Sequence, residues 1–248
     1  MTIKAIVFDA YGTLYDVQSV ARVIDAAFPG QGDYITQVWR LKQLEYTWLR
    51  GLMGRYADFR TVTRDSLDYT LGTLGLEAGT ALSSRIAGAY NTLSLYPEVG
   101  EGLARLAQYR LAILSNGSQD MLDALVRNSG LDGILEQVIS VDAKKTYKPD
   151  PRAYELIQER LGVPPPEVLF VSSNGFDIAG AKSFGFKVAR IERVTPAALR
   201  QDLTGGAPIG PGTMFRALRT QTETLGFAAD ATVNSLLALP GAIRSFGD

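Results

Sequence analysis

Five short, largely apolar runs, Ile3–Phe8, Leu111–Leu114, Val138–Val141, Val168–Val171 and Lys187–Ile191, are continuous rather than alternating. A strand with one solvated face alternates apolar and polar residues, whereas a strand covered on both faces does not. The runs therefore predict a parallel sheet between two layers of helix. Amphipathic stretches separate the later runs. Met121–Asn128 carries Met121, Leu122, Leu125 and Val126, and Ala153–Leu161 carries Tyr154, Leu156, Ile157 and Leu161. The second stretch stops at Gly162, ahead of Val163 and three prolines, as helices do. Strand–helix alternation from Pro97 to Ile191 predicts an α/β, doubly wound, Rossmann-like core.

The first run stands apart, because the next comes only at Leu111. Residues 16–96 read as helical throughout, with Ile35, Val38, Leu41, Leu44, Trp48 and Leu52 spaced to form one apolar stripe. Arg40, Gln43 and Thr47 run along its flank. We expect a helical cap at 16–96 inserted into a core formed by 1–15 and 97–248. An irregular extension is expected at about 195–227, with loop at Thr204–Gly212, then a strand at Ala231–Asn234 and a helix at Ser235–Phe246.

Composition narrows the chemistry. The 248 residues carry 25 Lys and Arg against 26 Asp and Glu, for a net charge of −1, with no basic block to draw nucleic acid. No apolar run is long enough to predict a membrane span or a secretory leader, so a soluble, cytoplasmic protein is expected. The chain has no Cys and no His. That excludes disulfides, thiolate nucleophiles, Cys-ligated metals, Ser-His-Asp triads and HExxH zinc sites. Any catalysis must use carboxylates, amines, hydroxyls and amides.

Ligands of an open parallel sheet bind beyond the carboxyl ends of its strands. Four such ends carry polar groups: Asp9-Ala10-Tyr11-Gly12-Thr13, Ser115-Asn116-Gly117-Ser118, Lys144–Pro149 with Lys148, and Ser172-Ser173-Asn174-Gly175-Phe176-Asp177. Each has an ordinary explanation alone: a turn Asp, a helix N-cap, a solvated loop lysine, an acid on a helix dipole. Together, in this order and each at a strand end, they predict one catalytic crevice.

These four segments resemble the four motifs of the haloacid dehalogenase superfamily, and Tyr34–Tyr56 and Val168–Gly185 resemble its (S)-2-haloacid dehalogenase branch. Phosphatases of that superfamily place a second Asp two residues after the nucleophile, where this chain has Tyr11. They also hold magnesium with a fourth-motif carboxylate, where it has Ser172 and Ser173. Both departures disfavour the alternative reading as a magnesium-dependent phosphatase. A phospho-acceptor receiver module lacks a large insertion after its first strand, and a non-catalytic relic would have no reason to keep Asp9, Lys148 and Asp177.

The resemblance implies a hydrolase that converts (S)-2-haloalkanoic acids to (R)-2-hydroxyalkanoic acids and halide, without metal or other cofactor, and commonly as a homodimer. Asp9 is the expected nucleophile, since an aspartate is already charged at neutral pH and needs no base. Its attack on C2 expels halide with inversion and leaves an Asp9 ester. Thr13 is expected to orient Asp9, and Lys148 to keep Asp9 and Asp177 ionised. Asp177 is the expected base for water, oriented by Ser172 and Asn174. Ser115 and the backbone at Ala10 and Tyr11 are expected at the substrate carboxylate. Arg40, Asn116 and Phe176 are expected at the halide, with Arg40 alternatively at the carboxylate. Tyr11 and Tyr154 are expected to line the pocket, and Trp39 and Phe59 to pack the cap.

Overall fold

The computed structural model describes residues 2–206 and 209–246. After β1 (Ala5–Phe8) the chain turns into β2 (Tyr15–Asp16), then runs through α1 (Ala21–Asp25), α2 (Gly32–Leu52), α3 (Phe59–Thr73) and α4 (Thr80–Gly88) before β3 (Ser94–Leu95). Next come α5 (Val99–Ala104), β4 (Arg110–Ser115), α6 (Gln119–Asn128), β5 (Gln137–Ser140), α7 (Pro151–Leu161), β6 (Val168–Ser172), α8 (Gly175–Phe184) and β7 (Lys187–Ile191). The chain continues with α9 (Pro196–Thr204), α10 (Pro211–Thr220), β8 (Ala231–Val233) and α11 (Leu239–Arg244).

Six strands form one parallel sheet in the order β5-β4-β1-β6-β7-β8. Every residue of β1 and β6 is buried, which is why their runs show no polar alternation. The order reverses at β1, whose neighbours are β4 and β6, so the crevice of a doubly wound sheet opens there. β2 and β3 pair antiparallel, Tyr15 with Leu95, so the helical insertion leaves and re-enters the core through one short ribbon. Gly12 makes the turn that starts this excursion. It adopts φ +81°, a conformation that a side chain would strain, and its N–H donates to Tyr15 O at 2.7 Å.

Two expectations fail. The 195–227 segment is not irregular but holds α9 and α10. Pro196 and Pro211 are first-turn residues of those helices, where a missing N–H costs nothing. Pro211 falls in the segment Thr204–Gly212, expected to be loop. The apolar stripe on α2 divides: Ile35 and Leu44 are buried, while Leu41 is 48% and Leu52 86% exposed, and the buried face also carries Thr36, Gln37, Arg40, Gln43 and Thr47. The C-terminal helix is shorter than expected, a 3₁₀ turn at Leu236–Ala238 running into α11.

The core packs aromatic rings under the sheet. Phe170 of β6 is fully buried, with ring centroids 5.8 Å from Tyr154 and 6.2 Å from Phe186. Phe170→Ala should cost about 3–5 kcal/mol of stability, read as a lowered urea midpoint with an unchanged slope.

Candidate active site

At the sheet's switch point, Lys148 is the hub. It is 1% exposed, and its ammonium donates to Asp9 Oδ1 at 2.9 Å, Asp177 Oδ2 at 2.8 Å and Leu114 O at 3.0 Å. Three protons meet three acceptors. The Lys148 backbone N–H donates to Asn116 Oδ1 at 2.8 Å, which ties the loop before α7 to the end of β4. Asp9 Oδ2 accepts from Thr13 Oγ1 at 3.1 Å and Asn174 Nδ2 at 2.7 Å. Asp177 is fully buried on α8, and Tyr154 donates to its Oδ1 at 2.8 Å.

Burial pushes the Asp177 carboxyl up to about 6; Lys148 opposes the shift and the charge of Asp9 adds to it. Lys148 does draw the Asp177 pKa down, as expected, but desolvation outweighs it and the net shift is upward. Burial lowers Lys148 in the same way, but Asp177 and Asp9 outweigh it and hold the ammonium above its ordinary range. Burial also drives the Tyr11 phenol far up, so it faces the site uncharged.

A small cavity of about 10 Å³ lies over Asp9. From the core it is lined by Asp9, Tyr11, Ser115, Asn116, Lys148, Asn174 and Phe176, and from the insertion by Arg40, Leu44 and Phe59. Arg40 is 4% exposed, and its Nη1 donates to Gln43 Oε1 at 2.5 Å. Its Nε has no partner, and among the described residues it pairs with no carboxylate. A guanidinium buried without a counter-charge carries an unbalanced positive charge at the cavity wall.

Several expected residues lie off the cavity wall. Tyr154 faces Asp177 from the core side. Ser172 Oγ accepts from Asn174 N at 3.1 Å and so shapes the loop before α8. Ala10 supplies the carbonyl that accepts from Thr13, Leu14 and Tyr15 in the turn after β1. Thr13 and Asp177 reach Asp9 and Lys148 from behind the wall. Phe59, expected only to pack the cap, lines the cavity and stacks on Tyr11 with centroids 5.5 Å apart. Leu44 and Gln43 also went unforeseen. Gln43 follows Arg40 by one helical turn, which was the available signal; nothing marked Phe59.

An α/β core with a strand-end aspartate clamped by lysine defines the class, and residues 3–185 match the haloacid dehalogenase-like hydrolases, the family to which the chain belongs. It is 59% identical over 242 residues to an (S)-2-haloacid dehalogenase of Xanthobacter autotrophicus, spanning 98% of this chain and 95% of that protein. It is 47% identical over 193 residues to haloacetate dehalogenase H-2 of Moraxella sp. (strain B), spanning 77% and 86%. A solved structure of L-2-haloacid dehalogenase from Xanthobacter autotrophicus with chloropropionic acid covalently bound superimposes with a TM-score of 0.93 at 58% identity, covering 98% and 99%.

Lys148→Met leaves Asp177 buried without the cation that opposes its upward shift. At neutral pH the variant should lose about 3–5 kcal/mol. A carboxyl whose folded pKa is raised stabilises the fold when protonated, and that stability is lost as pH rises through the folded pKa. Urea melts of the variant should therefore improve as pH falls from 8 toward the ordinary carboxylate range.

Proposed function

We propose that this chain hydrolyses (S)-2-haloalkanoic acids to (R)-2-hydroxyalkanoic acids and halide through an ester on Asp9. The observation that carries the reading is the pairing of Asp9 on the cavity floor with a buried, carboxylate-free Arg40 in the cavity wall. The covalently bound chloropropionic acid in the Xanthobacter autotrophicus relative supports it. Residues 16–96 serve as the cap, and 1–15 with 97–248 as the catalytic core.

Asp9 Oδ2 already accepts two hydrogen bonds, while Oδ1 accepts only that from Lys148. Oδ1 thus keeps a free lone pair and attacks C2. The C2–halogen bond breaks as the O–C2 bond forms, halide leaves from the opposite face, and C2 inverts. Arg40 takes an anionic group, halide or carboxylate, with Ser115, Asn116 and Phe176 completing the wall. Oδ2 becomes the ester carbonyl, facing Thr13 and Asn174 as donors to the oxyanion.

Water then attacks the Asp9 carbonyl carbon from the Asn174–Asp177 side. Asp177 takes the proton; its raised pKa makes it a better base at neutral pH than an ordinary aspartate. Collapse breaks the bond from the Asp9 carbonyl carbon to Oδ1, which leaves as the product hydroxyl on receiving that proton. The second proton of the water passes to solvent, and Asp9 is restored as a carboxylate with one oxygen from water. We further assign a cytoplasmic homodimer. The exposed Leu41 and Leu52 on the outer face of α2 support the pairing of copies.

Chloride release should occur with (S)-2-chloropropionate, give (R)-2-hydroxypropionate, and spare the (R)-substrate. Metal-dependent release of phosphate from p-nitrophenyl phosphate, with no chloride release, sinks the reading. Asp9→Asn should be folded and inactive. Single turnover in ¹⁸O-water should label Asp9, checked by peptide mass spectrometry. Because water attack needs Asp177 ionised, kcat should be full above pH 7 and decline as pH falls through about 6.

A further inference from the structure

The helical segment between β7 and β8 reaches the site at one side chain. Arg219, on α10, donates from Nη1 to Asn174 Oδ1 at 2.5 Å. The far end of the same amide donates to Asp9 Oδ2 at 2.7 Å and to Tyr11 O at 3.2 Å. A guanidinium offers only donors, and a carboxylate and a carbonyl offer only acceptors, so the amide has one orientation that satisfies all three. The chain after α10 is pressed onto the same loop. A methyl group on Gly175 would lie 2.1 Å from Glu223 Oε2 and 2.8 Å from Glu223 N. Arg219 itself lies 3.8 Å from where a Gly12 Cβ would be, and its guanidinium is 5.3 Å from the Phe215 ring. It lines no part of the cavity over Asp9 and, among the described residues, pairs with no carboxylate. Its charge is spent on Asn174.

We infer that Arg219 is a positioning residue for the second half-reaction, fixing and polarising the Asn174 amide as a donor to the ester carbonyl of Asp9. The inference rests on the dehalogenase reading above. Attack at C2 uses Oδ1, which Asn174 does not touch, so ester formation depends little on the amide. Ester breakdown places negative charge on Oδ2, where the amide N–H points. A charge-assisted bond to the amide oxygen strengthens the N–H as a donor. Losing one oxyanion donor outright costs about 10²–10³ in rate, so losing the group behind that donor should cost less.

The test is rapid-quench single turnover on (S)-2-chloropropionate, with the ester on the Asp9 peptide counted by mass spectrometry. In Arg219→Met the ester should form at close to the wild-type rate and decay about 10- to 100-fold more slowly. It should therefore accumulate, lowering kcat and KM together, and Arg219→Lys should recover part of the decay rate. If Arg219→Met does not fold by circular dichroism, Arg219→Gln and Arg219→Lys carry the same comparison. Unchanged ester decay, or slowed formation with normal decay, overturns the inference. So does a raised KM at unchanged kcat, which would make Arg219 a binding group. A wild type that never forms the ester sinks the dehalogenase reading itself, and this inference with it.

Discussion

The site depends on one buried ammonium shared by two carboxylates. Asp9 and Asp177 come from strand ends far apart in sequence, and each is nearly or fully removed from water. Without Lys148 between them their repulsion and desolvation would drive protons onto one or both. With it, the two carboxylates share one buried positive charge, while desolvation still holds the Asp177 carboxyl above its ordinary range. The local charge count also has a direction. Asp9 and Asp177 contribute two negative charges, and Lys148, Arg40 and Arg219 three positive ones, leaving one positive charge for a monoanionic substrate to neutralise.

The positions that distinguish this chain from a phosphatase are used structurally. Ser173 Oγ donates to Gly12 O at 2.6 Å and its N–H donates to Thr13 Oγ1 at 3.0 Å, so it locks the turn that carries Asp9. Ser172 fixes the backbone of Asn174. Tyr11 fills space beside Gly117, where a Cβ would come within 2.8 Å of the phenol oxygen. Hydroxyls and a neutral phenol thus occupy the places that carboxylates would hold in phosphoryl chemistry. They leave the cavity with a carbon electrophile as its suitable substrate.

The parallel sheet was legible because fully buried strands have a composition that nothing else in the chain imitates. Asp9, Lys148, Asn174 and Asp177 were legible because the sheet places strand ends together, so position alone nominates them. What escaped came from surfaces that the period-based reading cannot orient. Arg219 lies on α10, whose opening Pro211 looked like loop, and no local pattern says that its guanidinium reaches Asn174. Tyr154 is expected at the pocket wall through the family resemblance. Its hydroxyl instead answers the buried Asp177, a demand visible only when both are placed. Burial decided the Asp177 pKa, and burial is not written in the residues flanking an acid.

The mixed inward face of α2 follows from what the helix must cover. It carries Ile35, Trp39 and Leu44 beside polar groups, and buried polar groups must find partners. The helix answers with a chain of side chains that satisfy one another. Arg40 donates to Gln43 Oε1, Gln43 Nε2 donates to Thr63 Oγ1 at 2.8 Å, and Thr47 donates to Leu44 O at 2.6 Å. Trp39, buried beside them, donates to Thr63 O at 2.8 Å and packs its ring on Tyr90. This network fixes Arg40 in place while its Nε keeps no partner among the described residues. Leu41 and Leu52 lie on the outer face, and Trp48 at its edge reaches Phe176 with ring centroids 5.3 Å apart. The inward face of α2 thus combines apolar packing with a polar network around Arg40, which is why no single apolar stripe describes it.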